Sequence, residues 1–324
     1  MNDYAELTTR EAFGKALTEL GGQDGHIVVL DADLSRSTMT KYFAQAFPER
    51  FIQCGLAEQN MISIAAGLAT CGKIPFASTF AVFASSRCFD QVRMCVAQPR
   101  TNVKVVSTHG GITVGEDGSS HQAIEDISLY CSLPNFSVVV PADSIETVEV
   151  IKAAAATEGP FYVRLGRSKT PVVYRSGCNF KLGKADVLRE GRDATVIAIG
   201  IMVYKAMEAA DSLEKSGISC RVLNMSSIKP IDRQAIDAAA VETGAIVTAE
   251  EHLLHGGLGS IVAQALAAGT QAPLASIGIK DTYCKSGKPE ELLEANGLTA
   301  GDIVDAIKGV MARKRRQYNS NRTG

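Results

Sequence analysis

Short runs rich in β-branched and aromatic residues alternate with longer stretches of helical periodicity along this chain. In the first half, the strand-like runs lie at 27–30, 75–78, 103–106, 137–140 and 161–164. Helical patterns separate them at about 10–20, 57–71, 80–97 and 143–157. The last of these begins with Asp143 and Glu146 in the spacing of a capping box. The alternation is typical of a layered α/β domain with a largely parallel sheet.

The stretch from Gly166 to Gly183 lacks clear periodicity and contains Pro171 and Gly177, which is typical of a linker. A second α/β pattern follows, with strands at 195–199, 220–223 and 246–249 and helices at about 203–216, 232–243, 259–268 and 300–312. The sequence therefore predicts two α/β domains with mainly parallel sheets. We place them at 1–170 and 184–313, joined by a linker at 171–183 and followed by a polar tail at 314–324.

The composition is that of an ordinary globular protein and excludes only a few classes of function. The chain has 324 residues, 46% hydrophobic and 21% charged, with a net charge of −2, which gives no reason to expect a nucleic-acid or membrane-surface partner. The basic run at 313–316 lies in the polar tail and is expected to be a frayed, solvated terminus. No apolar stretch is long enough to span a membrane, and the first residues lack the pattern of a signal peptide. We therefore expect a cytoplasmic protein.

Neither the cysteines nor the paired histidines of the second half predict a metal site. The eight cysteines are scattered without a Cys-x-x-Cys pair, so we expect them to be reduced and mostly in the core. His252 and His255 are three residues apart but lack an accompanying third ligand. They are interpreted as a surface or turn pair, and no metal ligands are predicted in this chain.

The segment from Gly55 to Met61 places an acid, Glu58, at the start of a helix rich in alanine and glycine. Taken by itself, this acid is explained by the favourable interaction of a negative charge with the amino end of a helix. Phe80 and Phe83 follow in the next segment, spaced so that they share a face if a helix begins there.

Residues 108–122 then bring together two histidines, two acids and several glycines directly after a predicted strand. Loops at the carboxyl ends of parallel strands are where α/β proteins bind ligands. The histidine pair alone could still be structural.

In their order along the chain, the segments Gly55–Met61, Ser78–Phe83 and Gly115–Gln122 resemble the pyrimidine-binding domain of the transketolase family. The resemblance runs from Thr9-Arg10 through Arg167, and the second half resembles the family's third domain more weakly. It implies a thiamine-diphosphate enzyme that transfers a two-carbon ketol unit from a ketose phosphate to an aldose or aldose phosphate.

The resemblance implies that Glu58 is catalytic and hydrogen-bonds a ring nitrogen of the cofactor's aminopyrimidine. Such a carboxyl must hold a proton near neutral pH, which requires a desolvated setting. Phe80 and Phe83 are implied to enclose the aminopyrimidine, and Asp33 to lie near the cofactor. A third aromatic residue that often follows in the family is replaced here by Ser86.

On the substrate side, the resemblance implies a phosphate site assembled from four distant residues: Arg10, Ser37, His109 and Arg167. Two guanidinium groups, a hydroxyl and an imidazole suit a phosphate dianion. Asp117 is implied to contact a sugar hydroxyl. His121, implied to be catalytic, would hydrogen-bond the substrate oxygen at the new carbon–carbon bond.

The family's diphosphate site uses a Gly-Asp-Gly segment, which this sequence lacks. The resemblance therefore implies a partner chain, the N-terminal half of a transketolase, that holds the cofactor's diphosphate through Mg²⁺ or Ca²⁺. An α2β2 assembly is expected, since the cofactor lies between subunits in this superfamily.

Two alternatives compete with a transketolase subunit. One is the β-type subunit of another thiamine-diphosphate enzyme, such as a 2-oxo-acid dehydrogenase or a protein like deoxyxylulose-phosphate synthase. Such subunits share the layout and the activating glutamate, but they do not typically combine His109, the Gly-Glu-Asp-Gly segment and the phosphate-binding set. The other is a non-catalytic scaffold, which has no use for an acid in an apolar pocket.

Overall fold

The structure, a computed structural model, describes residues 4–175 and 177–323. Residues 1–3, Ser176 of the predicted linker and Gly324 of the predicted tail lie outside the described residues. Within the described ranges the chain forms two sheets, of seven and five strands, with helices packed on both. The prediction of two α/β units with mainly parallel sheets is confirmed.

The first unit carries six strands: β1 (Ile27–Asp31), β2 (Phe51–Gln53), β3 (Ile74–Phe80), β4 (Lys104–Thr108), β5 (Ser137–Val139) and β6 (Phe161–Arg164). They pair in parallel in the order β5-β6-β4-β3-β1-β2. β1 and β4 are buried along their whole length, which explains their runs of β-branched residues.

The helices of this unit are α1 (Thr9–Gln23), α2 (Ser35–Thr38), α3 (Lys41–Ala46), α4 (Glu58–Thr70), α5 (Phe89–Gln91), α6 (Asp126–Ser132) and α7 (Ser144–Ala156). α1 begins with a capping box between Thr8 and Glu11. In the α7 region, Asp143 caps the Glu146 amide as predicted, but the Glu146 carboxylate accepts from Ala142 N and Asn224 instead of closing a capping box.

The second unit contributes β7 (Asp186–Arg189), β8 (Ala194–Ala198), β9 (Cys220–Asn224), β10 (Ser227–Lys229), β11 (Ile246–Leu253) and β12 (Leu274–Ile279). Its helices are α8 (Ile201–Glu214), α9 (Arg233–Glu242), α10 (Leu258–Ala268), α11 (Pro289–Ala295) and α12 (Ala300–Thr323). The five-stranded sheet has the order β12-β11-β8-β9-β7, and β7 is its antiparallel edge.

The two units are joined by more than the linker. β10 leaves the second unit and pairs antiparallel with β5, so that it becomes the edge strand of the first unit's sheet. Lys229 at its end donates to the carbonyls of Cys131 and Leu133, where α6 ends. Inside the predicted linker, the amides of Val173 and Tyr174 donate to the Asp143 carboxylate, so this part of the linker is packed against the first domain.

Several local predictions are wrong. α12 does not stop near 312 but continues through Thr323, and Lys314 in the predicted frayed tail donates to the Thr243 carbonyl at 2.6 Å. Phe80 ends β3 instead of opening a helix, and residues after it form a helix broken by π turns at Phe83–Arg87 and Val92–Ala97.

His252 is not a surface residue: it is fully buried on β11, while His255 is exposed. All eight cysteines are free thiols. As predicted, most lie in the core or against it: Cys88, Cys220 and Cys284 are buried core residues, and Cys54, Cys95 and Cys131 are partly buried against the core. Among the described residues no helix is both long and apolar enough to cross a membrane.

Candidate active site

Most of the predicted site residues lie at one edge of the first unit's sheet. β1, β3, β4 and β6 run in parallel, so their carboxyl ends meet at the same edge. Asp33 follows β1, Phe80 ends β3, His109 follows β4 and Arg167 follows β6. The topology therefore collects residues that lie more than a hundred positions apart in the sequence.

Glu58 is the first residue of α4 and is only 4% exposed. Its Oε1 accepts a hydrogen bond from Arg87 Nη1 at 3.0 Å. The Arg87 side chain is 51% exposed, and its guanidinium carbon lies 3.8 Å from the centre of the Phe83 ring. A buried acid is thus held between the amino end of a helix and a cation that also covers an aromatic ring.

Four rings form one continuous aromatic group, which Arg87 links to this acid. Phe80 and Phe83 stack with centroids 5.7 Å apart and planes tilted by 18°. Since Phe80 ends a strand, the helical spacing assumed in the sequence prediction is not what brings the two rings together. The other face of the group is formed by histidines: Phe80 stacks on His109 at 3.8 Å, and His121 meets Phe83 edge-on at 5.6 Å. Phe80 therefore contacts both the predicted cofactor residues and the predicted substrate residues.

His109 lies buried in this group with an unusual backbone. Its φ of 62° falls in the left-handed region, which turns the loop sharply after β4. Its Nδ1 lies 2.7 Å from Thr108 Oγ1. Burial, together with the positive charges of Arg10 and Arg167, lowers the pKa of His109 to about 3. The imidazole is therefore neutral at physiological pH and can act as a neutral hydrogen-bonding group.

Arg10 and Arg167 are close enough to influence each other. Burial and, more weakly, the Arg167 charge lower the pKa of Arg10. Arg10 Nη1 donates to the Ser37 carbonyl at 2.9 Å, and its buried Nε has no hydrogen-bond partner among the described residues. Two neighbouring guanidinium groups with an unused buried donor are suited to binding an anion.

Arg167 also contacts the loop that carries the predicted sugar-binding residues. Its Nη1 donates to the Val114 carbonyl and lies 3.8 Å from Asp117 Oδ2 and 3.7 Å from Glu116 Oε2. These carboxylates are solvent-exposed, so the ion pairs are weak and an incoming anion can compete for the guanidinium.

Asp33 lies at the same sheet edge, after β1, but contacts different neighbours. It is exposed with φ 63°, and its amide donates to Gln53 Oε1 at 2.8 Å. In the described part of the chain no hydrogen bond joins it to the other predicted site residues. Its buried neighbour Asp31, which the sequence analysis did not select, organises this turn by accepting from the Leu34 amide and from the hydroxyls of Thr38 and Thr40.

Sequence reasoning also missed Arg87 and the buried ion pair of Arg164 with Asp126 at 2.8 Å. Arg87 lies in an irregular helix whose register the periodicity did not reveal. The sequence did indicate that Arg164 is paired, since a charged residue at the end of a buried strand needs a partner. Its partner lies 38 residues away and was not predictable from spacing.

The residues present fit the aminopyrimidine end of thiamine diphosphate. A flat heteroaromatic ring needs an apolar stacking wall and a hydrogen-bonding group for its ring nitrogen, and the Phe80–Phe83 pair and buried Glu58 have that chemistry. Among residues 4–175 and 177–323, no group of three or more His, Cys, Asp or Glu side chains is placed to hold a metal ion.

Comparison with known proteins covers nearly the whole chain. Residues 5–172 match the pyrimidine binding domain of transketolase, and residues 183–303 match the transketolase C-terminal domain. A protein named as a transketolase C-terminal section from Methanocaldococcus jannaschii is 46% identical over 94% of this chain and 96% of its own length. A 6-deoxy-6-sulfo-D-fructose transketolase subunit from Clostridium sp. is 42% identical over 94% of this chain and 95% of its own length.

Human transketolase is 37% identical over 95% of this chain, which corresponds to only 50% of the human protein. Among solved structures, a split-gene transketolase described as an inactive β4 tetramer superimposes with a TM-score of 0.90 at 52% identity, covering 95% of this chain and 99% of that one. The domain order, the extent of the matches and the residues at the sheet edge agree, and the chain belongs to the transketolase family.

Proposed function

We propose that this chain is the cofactor-activating and sugar-binding half of a two-chain transketolase. The reaction is the transfer of a two-carbon ketol unit from a ketose phosphate to an aldose or aldose phosphate. The family depends on thiamine diphosphate, and the two domains matched here correspond to about half of a full-length transketolase.

The observation that carries the proposal is the ring contact between Phe80 and His109 at 3.8 Å. Phe80 belongs to the stacking wall that Arg87 links to Glu58, and His109 is influenced by the charges of Arg10 and Arg167. An aromatic cofactor site and an anion site are therefore adjacent. That arrangement suits a reaction in which an anionic sugar is held with its carbonyl end against the cofactor.

Each residue has a role consistent with its surroundings. Thiamine diphosphate supplies the electron sink that stabilises the transferred carbanion. Glu58 hydrogen-bonds the aminopyrimidine ring nitrogen, and the apolar wall excludes water from that hydrogen bond. His121 and Asp117 orient the sugar oxygens near the reacting carbons.

The anion site lies at the far end of the sugar. Arg10 and Arg167 bind the distal phosphate, with neutral His109 and the Ser37 hydroxyl as further donors. The relative from Clostridium is named for a sulfonated sugar. A sulfonate is also a tetrahedral oxyanion, so both anions belong in the substrate test.

A second chain completes the enzyme in this proposal. It corresponds to the N-terminal half of a transketolase, binds the cofactor's diphosphate through Mg²⁺ or Ca²⁺, and joins this chain as α2β2. The names of two relatives support it, since one is a C-terminal section and another is the product of a split gene. Closed, two-fold-symmetric assemblies are the common outcome for such pairs.

The experiment combines this chain with a candidate partner that carries a Gly-Asp-Gly segment, thiamine diphosphate and Mg²⁺. We expect ketol transfer from a ketose phosphate only when both chains are present, and little transfer from the unphosphorylated analogue. The sulfonated analogue carries a tetrahedral oxyanion as well and is expected to react nearly as fast as the phosphate. Full activity from this chain alone would contradict the split-enzyme proposal. Decarboxylation of a 2-oxo acid without ketol transfer would favour a β-type subunit of a dehydrogenase.

A further inference from the structure

A buried carboxylate of the second domain reaches the loop that carries part of the candidate active site. Glu251 lies near the end of β11 and is 5% exposed. Its Oε1 accepts a hydrogen bond from the backbone amide of Thr113 at 2.6 Å. Thr113 belongs to residues 109–122, which carry His109, Asp117 and His121 and are called the substrate loop below. A residue of one domain thus fixes the backbone of a loop in the other.

The loop is shaped to receive this carboxylate. Gly111 has φ 81°, and a Cβ there would overlap the Glu251 carboxylate, so only glycine fits. On the other side of the same turn, Ser168 Oγ donates to the Thr113 carbonyl at 3.1 Å. The amide and the carbonyl of Thr113 are therefore both held by side chains from outside the loop.

The backbone of β11 holds the far end of the loop as well. The Leu253 amide donates to the Ile124 carbonyl at 2.8 Å. Arg164 Nη2 donates to the carbonyls of Glu251 and Ala123 at 2.9 and 3.0 Å, which ties the strand and the loop end to one guanidinium. The segment before α11 adds a further contact, where Gln122 Nε2 donates to the Lys285 carbonyl at 3.1 Å.

The neighbouring acid Glu250 provides a contrast. It is equally buried on the same strand, but its two oxygens accept from the amides of Leu258 and Gly259 at 2.7 and 2.8 Å, at the start of α10. Glu250 therefore holds a helix within its own domain, whereas Glu251 holds the substrate loop. Burial raises the pKa of Glu251, and the nearby Arg164 charge opposes that rise.

We propose that Glu251 is a positioning residue for the substrate loop: through Thr113 it keeps the loop in the conformation that places His109, Asp117 and His121 around the sugar. The second domain thereby contributes to catalysis without contacting the substrate. This inference rests on the proposed function. The chemistry at the cofactor's thiazolium carbon depends first on Glu58, which lies on α4 outside the loop and is held by Arg87, so it should respond to Glu251 far less than ketol transfer does.

Amide hydrogen–deuterium exchange of the free chain tests the anchoring directly. Glu251→Asp shortens the side chain so that it no longer reaches the Thr113 amide, while a buried negative charge remains beside Arg164. We expect the rate of amide exchange in peptides covering 110–117 to rise roughly tenfold or more. This is the change expected when the Thr113 amide loses its charge-assisted hydrogen bond. Glu251→Gln keeps an acceptor at the same reach and should restore most of the protection.

Glu250→Asp is the matched control, since it shortens an adjacent buried acid. It should accelerate exchange in the peptide covering α10 and leave the loop at the parent rate. In the two-chain complex, Glu251→Asp should lower kcat/KM for the ketol donor by about tenfold, while deuterium exchange at the thiazolium carbon stays at the parent rate. Glu251→Gln should recover most of the transfer rate.

The outcomes separate this inference from the proposed function. A parent complex without ketol transfer would overturn the proposed function and with it the catalytic part of this inference, although amide exchange would still decide whether Glu251 anchors the loop. With an active parent, unchanged loop exchange in Glu251→Asp would overturn the inference. An unchanged kcat/KM despite a loosened loop would overturn it too.

Discussion

The buried carboxylate of Glu58 and the half-exposed guanidinium of Arg87 form a hydrogen bond of 3.0 Å, and Arg87 also covers the Phe83 ring. One cation therefore connects the predicted cofactor-activating acid to the predicted stacking wall. Glu58 begins α4, whereas Arg87 lies in the irregular helix that follows β3. The two segments can hold this geometry only when both pack against the same sheet.

Glu58→Gln should lower the rate of cofactor activation by orders of magnitude in the two-chain complex. Glutamine keeps the shape of the side chain but cannot supply an ionisable acid at the pyrimidine ring nitrogen. The rate of deuterium exchange at the thiazolium carbon, followed by NMR, measures this step. The assembly state should be unchanged by sedimentation, and exchange at the parent rate would show that Glu58 has another role.

Arg87→Met should reduce the same exchange rate by a smaller factor, about three- to tenfold, because Glu58 loses the hydrogen bond that holds its orientation. The half-exposed position of Arg87 keeps the expected effect modest. Arg87→Lys retains a cation near Glu58 and should recover part of the rate. If the Arg87→Met complex activates the cofactor as fast as the parent, Arg87 contributes only to packing at the surface.

Arg167→Ala should lower kcat/KM for a sugar phosphate roughly ten- to hundredfold, the effect of losing a charge-assisted hydrogen bond worth about 1.5–3 kcal/mol. The same change should matter far less for glycolaldehyde, which cannot reach the anion site. The ratio of the two losses is the diagnostic quantity, since a general folding defect depresses both. Equal losses in a folded complex would mean that Arg167 does not bind the distal anion.

His109 should make the protein less stable in acid. Its pKa is lowered from the ordinary 6.5 to about 3, so between these values the unfolded chain binds a proton that the folded chain does not. The free energy of unfolding therefore falls as the pH drops through this window. His109→Gln lacks the titrating group and should show a shallower fall in denaturant titrations at pH 7, 6, 5 and 4. Parallel curves for parent and variant would show that His109 is protonated in the fold.

The local patterns of the sequence were sufficient to predict the architecture. Runs of β-branched residues such as 27–30 must be buried, and their alternation with helical patterns leaves few arrangements besides layered α/β units. The segment Gly55–Met61 likewise placed Glu58 at the start of a helix, where the structure has it. The resemblance of the ordered motifs to a family then supplied the candidate residues, because it compares whole segments instead of single side chains.

Only the tertiary structure decided which distant groups meet. Strand order brings Phe80 onto His109, and the docking of two domains brings Glu251 onto Thr113, 138 positions away. Neither contact leaves a local signature, because spacing along a chain does not specify which sheet edge or domain face a residue will share. The same applies to the end of α12, where Lys314 is held by the Thr243 carbonyl and the polar sequence alone predicted a frayed tail.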